Sequence, residues 1–134
     1  MTAIPKILLV EDDKKLALAL SLRLQAKRYD VKIAYDAMGG VMAASKEKPD
    51  LVVLDISIPA GGGFTVAQRM KNLAATAGTP IIFLTASNDP VHRERARELG
   101  AAAFLEKPYD IEELLEAIKR ALARSPLRNR PRAG

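Results

Sequence analysis

The sequence predicts an α/β domain of five βα units, with a central parallel five-stranded sheet and helices on both of its faces. Short apolar runs alternate with longer segments of helical pattern along the chain. Several of the runs are rich in Val and Ile and are continuous rather than alternating, which is typical of strands that are covered on both faces. Strands that alternate with helices form parallel sheets through right-handed crossovers.

Five apolar runs are predicted as the strands, and each is short enough to cross one sheet. They are KILLV at 6–10, VKIAY at 31–35, LVVL at 51–54, PIIFL at 80–84 and AAFLE at 102–106.

The segment 16–24 (LALALSLRL) could be a strand or a helix, because its leucines at every second position have strand periodicity. However, Leu16, Leu20 and Leu24 also form a helical stripe. The segment has no β-branched residue and, apart from Ser21, consists of strong helix formers. Since it also lies between two predicted strands, we interpret it as a helix.

The last two helices have clear boundary signals. Segment 89–100 begins with an Asp cap, has Pro at the first helical position and ends in Gly. Segment 111–124 has a capping box at Asp110 and Glu113. Its apolar stripe contains Ile111, Leu114, Leu115, Ile118, Ala121 and Leu122.

Composition excludes several classes of protein. The chain has 134 residues, which suits one domain, and no cysteine, so neither disulfides nor a thiolate metal site can form. A single histidine, His92, argues against a histidine zinc site. The apolar runs are far shorter than the roughly 20 residues of a membrane span, and the start has no signal-peptide pattern. We therefore expect a cytoplasmic protein without membrane contact.

The net charge of +5 lies mostly in the C-terminal segment. Its last eleven residues contain four arginines and no acid, so the rest of the chain carries only +1. We expect residues 1–124 to form the domain and residues 125–134 to be a disordered Arg- and Pro-rich tail.

Polar residues follow the predicted strands at the edge where parallel sheets bind ligands. They are Glu11, Asp12 and Asp13 after the first strand, Asp55 after the third, Thr85 after the fourth and Lys107 after the fifth. Each alone has an ordinary explanation as a turn, cap or surface residue. Together they favour metal-assisted phosphoryl transfer, with Mg²⁺ preferred over Zn²⁺ and a carboxylate as nucleophile. Lys107 and Thr85 could each bind a phosphoryl oxygen.

In these motifs the sequence resembles the response-regulator receiver domains of two-component signalling. The resemblance rests on ILLVEDD, PDLVVLDISIP, PIIFLTA and FLEKPYD, and it covers about residues 6–123. It implies a doubly wound, flavodoxin-like sheet of strand order 2-1-3-4-5. It also implies a signalling protein that assists its own phosphorylation and dephosphorylation, rather than a conventional enzyme.

The resemblance also implies roles for single residues. Asp55 would be the phosphorylated aspartate, and Glu11, Asp12, Asp55 and the backbone carbonyl of Ser57 would hold Mg²⁺. Asp13 would cap the first helix. Thr85 would bind a phosphoryl oxygen and move on activation. Lys107 would pair with the phosphoryl group or, without it, with Asp55, and Phe104 would be the switch aromatic.

Three features depart from the family pattern. The acidic pair is Glu-Asp rather than Asp-Asp. The switch position has Phe104 where Tyr is frequent, which removes any contact through a hydroxyl. Segment 60–63 (AGGG) lacks the usual acid before its glycine, and its three glycines predict a mobile loop.

The leading hypothesis is a receiver that takes phosphate from a histidine kinase or histidine phosphotransfer protein. Phosphorylation would remodel the face of the fourth helix, fifth strand and fifth helix, for a protein partner or a homodimer. This face contains HRERARE (92–98), which could equally be a solvated surface with i,i+4 ion pairs.

Three alternatives remain. The arginine tail could contact nucleic acid or begin a linker to the output domain of a DNA-binding regulator, although this chain has no readout module. An aspartyl-phosphate hydrolase of the haloacid-dehalogenase type would need a second Asp where Ser57 stands. A pseudo-receiver that only binds partners would normally lack part of the acid, Thr and Lys set.

Overall fold

The computed structural model describes residues 4–58 and 62–125. Within them, strands and helices alternate along the chain. The strands are β1 (Lys6–Val10), β2 (Asp30–Ala34), β3 (Leu51–Asp55), β4 (Ile81–Thr85) and β5 (Ala103–Glu106). The helices are α1 (Lys14–Ala26), α2 (Ala37–Glu47), α3 (Gly62–Lys71), α4 (Pro90–Glu98) and α5 (Ile111–Arg124).

The five strands form one parallel sheet in the order β2-β1-β3-β4-β5. This confirms the predicted fold class and strand order. β3 is central and every one of its residues is buried, including Asp55 at its end. The predicted strand boundaries were wrong by one residue in four cases. β2 is shifted to begin at Asp30, β3 and β4 extend to Asp55 and Thr85, and β5 starts at Ala103.

Two apolar layers cover the sheet. One layer contains side chains of α1 and α5, such as Leu24 and Ile118, against Ile7, Leu9 and Val53. The other contains side chains of α2, α3 and α4 against the alternate residues of the same strands. Because neighbouring strand residues face opposite layers, both faces need apolar side chains, which explains the continuous apolar runs.

The segment of alternating leucines is the helix α1, as predicted. Asp13 caps it by accepting hydrogen bonds from the backbone N–H groups of Lys15 and Leu16. Leu20 and Leu24 are buried, whereas Leu16 is exposed, so the predicted stripe holds for two of its three leucines.

The predicted caps of the last two helices are confirmed. Asp89 caps α4 by accepting from the N–H of Val91, and Gly100 beyond its end has a φ of +74°. Asp110 and Glu113 form the capping box of α5. Four residues of the predicted α5 stripe are buried, and Ile111 and Leu115 are partly buried against the same layer.

Two of the three glycines after β3 belong to a helix rather than to a loop. Gly62 and Gly63 form the start of α3, which differs from the prediction of a mobile glycine loop. A Cβ on Gly63 would lie 2.5 Å from the backbone oxygen of Asp55, so this helix approaches the end of β3 more closely than any side chain permits. Ala60 and Gly61 of the same motif lie outside the described residues.

The predicted arginine tail, apart from Ser125, also lies outside the described residues. Among the helices that the structure describes, none has both the length and the apolar character needed to cross a membrane.

Candidate functional site

The polar residues predicted at the carboxyl edge of the sheet come together at β1, β3, β4 and β5. Glu11 follows β1 directly, Asp55 and Thr85 are the last residues of β3 and β4, and Lys107 follows β5. Because β3 lies between β1 and β4, Asp55 stands at the centre of this edge.

An ion-pair network joins three of these side chains. The Nζ atom of Lys107 lies 2.6 Å from Oδ2 of Asp55 and 3.2 Å from Oε1 of Glu11. The side chains of Asp55 and Glu11 are only 7% and 4% exposed, and that of Lys107 is 24% exposed. One ammonium group therefore faces two buried carboxylates, which leaves an excess of negative charge between the strands.

Backbone donors hold the two carboxylates in place. The N–H of Ser57 donates to Oδ1 of Asp55 over 2.8 Å, and the N–H of Asp13 donates to Oε2 of Glu11 over 3.2 Å. Hydrogen bonding to the charged form offsets part of the cost of burying a carboxylate. Two buried carboxylates are thus held in fixed orientations at this edge of the sheet.

The electrostatics of the network follow from burial and from its charges. Burial raises the pKa of Glu11, and the nearby charge of Asp55 adds to this, against opposing effects of the Asp13 N–H and Lys107. Burial alone would lower the pKa of Lys107, but hydrogen bonding and attraction from Asp55 and Glu11 outweigh it and raise that pKa. The lysine is therefore held in its charged form.

Thr85 is fully buried beside this network. Its Oγ1 accepts a hydrogen bond from the N–H of Ser87 over 2.9 Å, and its carbonyl accepts from the N–H of Lys107 over 2.7 Å. The end of β4 is thereby tied both to the loop before α4 and to the lysine that binds Asp55.

The two residues of the acidic pair, Glu11 and Asp12, have different environments in the structure. Glu11 is buried in the network, whereas Asp12 is exposed. Among residues 4–58 and 62–125, no three His, Cys, Asp or Glu side chains are arranged as a group that could hold a metal ion. The Lys107 ammonium lies between Glu11 and Asp55 instead. The polar groups at this edge are nonetheless carboxylates, and two of these carboxylates are buried beside a single lysine. Oxygen donors with an excess of negative charge suit a hard divalent cation.

Phe104, the predicted switch aromatic, is partly buried on the sheet face that α4 covers. The guanidinium carbon of Arg93 on α4 lies 4.8 Å from the centre of its ring. Arg93 also forms an ion pair with Glu106 at 3.1 Å. On the same helix Arg97 pairs with Glu94 at a spacing of i,i+3 rather than i,i+4, and both side chains are exposed.

Sequence reasoning missed three residues that shape the site. Gly63 brings α3 against the backbone of Asp55, and Arg93 reaches β5 from α4. Tyr109 lines an open apolar groove of about 340 Å³ beside Lys107, and burial raises the pKa of its hydroxyl. In the sequence, Tyr109 follows Lys107 in the motif FLEKPYD, whereas Gly63 and Arg93 were noted only as members of a predicted loop and of a charged surface.

Comparisons with known proteins agree on one family. The profile of the response regulator receiver domain matches residues 7–119. The DNA-binding dual master transcriptional regulator RpaA of Synechocystis sp. is 36% identical over 121 residues, which are 90% of this chain and 50% of that protein. The response regulator ArlR of Staphylococcus saprophyticus is 37% identical over 124 residues, or 92% and 55% of the two chains. The chain therefore spans about half the length of the curated relatives it matches.

Solved receiver domains have the same fold. The non-phosphorylated HemR receiver domain of Leptospira biflexa is 36% identical, with a TM-score of 0.82 over 96% of this chain and 99% of that one. The receiver domain of the sensor histidine kinase PA1611 of Pseudomonas aeruginosa is 26% identical, with a TM-score of 0.82 over 90% and 99%. That structure has a magnesium ion coordinated in its active-site cleft.

Proposed function

Because the chain belongs to the response regulator receiver domain family of two-component signalling, we propose that it accepts a phosphoryl group on Asp55. The donor would be a sensor histidine kinase or a histidine phosphotransfer protein. In the transfer, a carboxylate oxygen of Asp55 forms a bond to phosphorus while the bond from phosphorus to the donor imidazole nitrogen breaks. The observation that carries this proposal is the buried Asp55 carboxylate at the centre of the sheet edge, 2.6 Å from the Lys107 ammonium.

We further propose that Mg²⁺ binds at this edge. The carboxylates of Glu11, Asp12 and Asp55 and the carbonyl oxygen of Ser57 would hold it. Oxygen donors of this kind match the preference of Mg²⁺, and the excess negative charge around Lys107 supports a divalent cation. When bound, Mg²⁺ would neutralise charge that develops on the phosphoryl oxygens.

Lys107 and Thr85 would act on the phosphoryl group directly. The ammonium group of Lys107 already lies at hydrogen-bond distance from Oδ2 of Asp55, so it can stabilise the negative charge of a phosphoryl group bound to this carboxylate. The Thr85 hydroxyl at the end of β4 would bind a phosphoryl oxygen. This would compete with its present contact to the N–H of Ser87.

Phosphorylation would be read out on the face formed by α4, β5 and α5. A change at Thr85 would alter the loop before α4 and the position of Phe104, which biases an existing equilibrium between two arrangements. The altered face would bind a downstream protein or a second copy of this chain.

Residues 1–124 would make up this receiver unit, with residues 125–134 as a tail.

A second candidate function has a specific observation behind it. The chain covers only half of RpaA, which is named a DNA-binding regulator. The receiver could therefore control DNA binding by a separate output domain. A partner-binding pseudo-receiver that is never phosphorylated is the remaining alternative.

Intact-protein mass spectrometry tests the proposal. The protein is incubated with acetyl phosphate, with and without Mg²⁺, as wild type, Asp55→Asn and the exposed-site control Asp30→Asn. We expect one added phosphoryl group in the wild type and the control, only with Mg²⁺, and none in Asp55→Asn. Labelling of Asp55→Asn would refute the site. Failure of wild-type labelling by both acetyl phosphate and phosphorylated histidine proteins would favour the pseudo-receiver.

A further inference from the structure

Arg93 bridges α4 and β5 through two contacts. Its guanidinium carbon lies 4.8 Å from the centre of the Phe104 ring, and its Nη2 atom lies 3.1 Å from Oε1 of Glu106. Phe104 and Glu106 are two residues apart in one strand, so their side chains point to the same side of the sheet. One arginine therefore contacts both Phe104 and Glu106 on the side of β5 that faces α4.

The two residues that Arg93 holds are close to the phosphorylation site. In the register of the sheet, Glu106 is the partner of Thr85 and Phe104 is the partner of Phe83. The residue after Glu106 is Lys107, whose N–H donates to the carbonyl of Thr85 and whose ammonium binds Asp55. Lys107 contacts both Asp55 and Thr85 and directly follows Glu106 in the chain. A change at the phosphorylation site can therefore be passed to Glu106, which Arg93 binds.

We propose that Arg93 is a positioning residue that holds Phe104 and α4 in their resting arrangement and sets how readily phosphorylation changes it. This inference rests on the proposed function, because it takes Asp55 as the acceptor and Phe104 as part of the output face. The bridge belongs to the resting arrangement, and movement of Phe104 away from α4 would break the cation–π contact.

The chemistry of the bridge explains how a phenylalanine can serve at this position. Phe104 has no hydroxyl, so only its ring can make a directed polar contact, and the guanidinium of Arg93 supplies that contact. The ion pair to Glu106 fixes the guanidinium over the ring. Because the Arg93 side chain is 59% exposed, its removal leaves no internal cavity and should not prevent folding.

Arg95 provides a matched control on the same helix. Its guanidinium carbon lies 5.2 Å from the centre of the Phe64 ring, a contact of the same kind and similar length. Phe64 belongs to α3 and packs on Phe83 with ring centres 5.2 Å apart. The Arg95 contact therefore joins α4 to α3 and not to β5. If loss of any stacked arginine loosens α4, Arg95→Ala should mimic Arg93→Ala.

Fluorine NMR can follow Phe104 directly. The chain has three phenylalanines, so incorporation of fluorophenylalanine gives three signals, and Phe104→Leu identifies the one of interest. Beryllofluoride with Mg²⁺ serves as a reversible mimic of the acyl phosphate. We expect Arg93→Ala to move the unliganded Phe104 signal towards its beryllofluoride-bound position. It should also lower the half-saturating beryllofluoride concentration about two- to fivefold, the equilibrium equivalent of one exposed cation–π contact.

The controls separate the possible results. Glu106→Gln should act in the same direction with a smaller effect, and Arg95→Ala should leave both measurements unchanged. Equal half-saturation in Arg93→Ala and wild type, or an equal effect of Arg95→Ala, would overturn the role of Arg93 alone. If the wild type does not bind beryllofluoride, or if Asp55→Asn still binds it, the proposed function itself fails and the role of Arg93 fails with it.

Discussion

Replacement of Lys107 by Met gives the sharpest stability test of the ion-pair network. Met retains most of the apolar stem of the side chain but removes the ammonium group. Glu11 and Asp55, both nearly buried, then keep their charges without the cation that faces them. We therefore expect Lys107→Met to destabilise the metal-free protein through electrostatics rather than through lost volume.

The size of the effect follows from the burial of the three groups. Removing one member of a fully buried ion pair costs about 3–5 kcal/mol. Since the Lys107 side chain is 24% exposed, solvent screens part of this, and about 2–3 kcal/mol is expected. For a domain of this size such a loss lowers Tm by roughly 6–15 °C.

The assay is thermal unfolding without Mg²⁺ at several pH values, with the exposed Lys119→Met as control. Lys107 lowers the pKa of Glu11, so without it Glu11 binds its proton more tightly in the folded state, and the deficit of the variant should shrink as the pH falls. Added Mg²⁺ should also restore part of the lost stability. In a Glu11→Gln protein, Lys107→Met should cost less stability, because only Asp55 then loses its ammonium partner.

A cost that is independent of pH and equal in the Glu11→Gln background would refute the reasoning. It would show that Lys107 acts through packing rather than through its charge.

Three further substitutions test other parts of the structure. Glu11→Gln should raise Tm at pH 7 without Mg²⁺. The pKa of Glu11 is higher in the folded state than in the unfolded chain, so ionised Glu11 destabilises the fold at neutral pH. The gain over wild type should vanish below about pH 4.5, where Glu11 is protonated in both states. Gly63→Ala should lose about 1–3 kcal/mol in denaturant unfolding and also label more slowly, because its Cβ would meet the backbone of Asp55; a stability gain from helix propensity would contradict this close approach. Asp110→Ala should lose about 0.5–2 kcal/mol through the capping box of α5 while labelling stays normal, and unaltered stability would exclude the cap.

The fold was predictable because local signals and the global pattern agreed. The capping residues Asp13, Asp89 and Asp110 each mark a helix start in the sequence and cap a helix in the structure. The alternating leucines of α1 show why pattern alone is ambiguous there. Their absence of β-branching, together with the order of elements, correctly favoured a helix whose outer leucines are exposed.

The grouping of site residues was predictable from topology, since the carboxyl ends of parallel strands meet at one edge. The detailed contacts were not. Lys107 and Glu11 are 96 residues apart, and their 3.2 Å contact depends on strand order and on a long, flexible side chain. The two contacts of Arg93 likewise depend on the packing angle of α4, which no local pattern encodes. The need for glycine at position 63 comes from the close approach of α3 to the backbone of Asp55, which is a tertiary contact and not a local pattern.

The central claim is that Asp55 is the phosphoryl acceptor, and chemical trapping of the acyl phosphate tests it most directly. Borohydride reduces an aspartyl phosphate with loss of phosphate and leaves homoserine at that position. After labelling with acetyl phosphate and Mg²⁺, followed by reduction and peptide mapping, we predict homoserine at position 55 alone. Homoserine at 12 or 13, or unmodified Asp55 in a protein that has gained phosphate, would contradict the account.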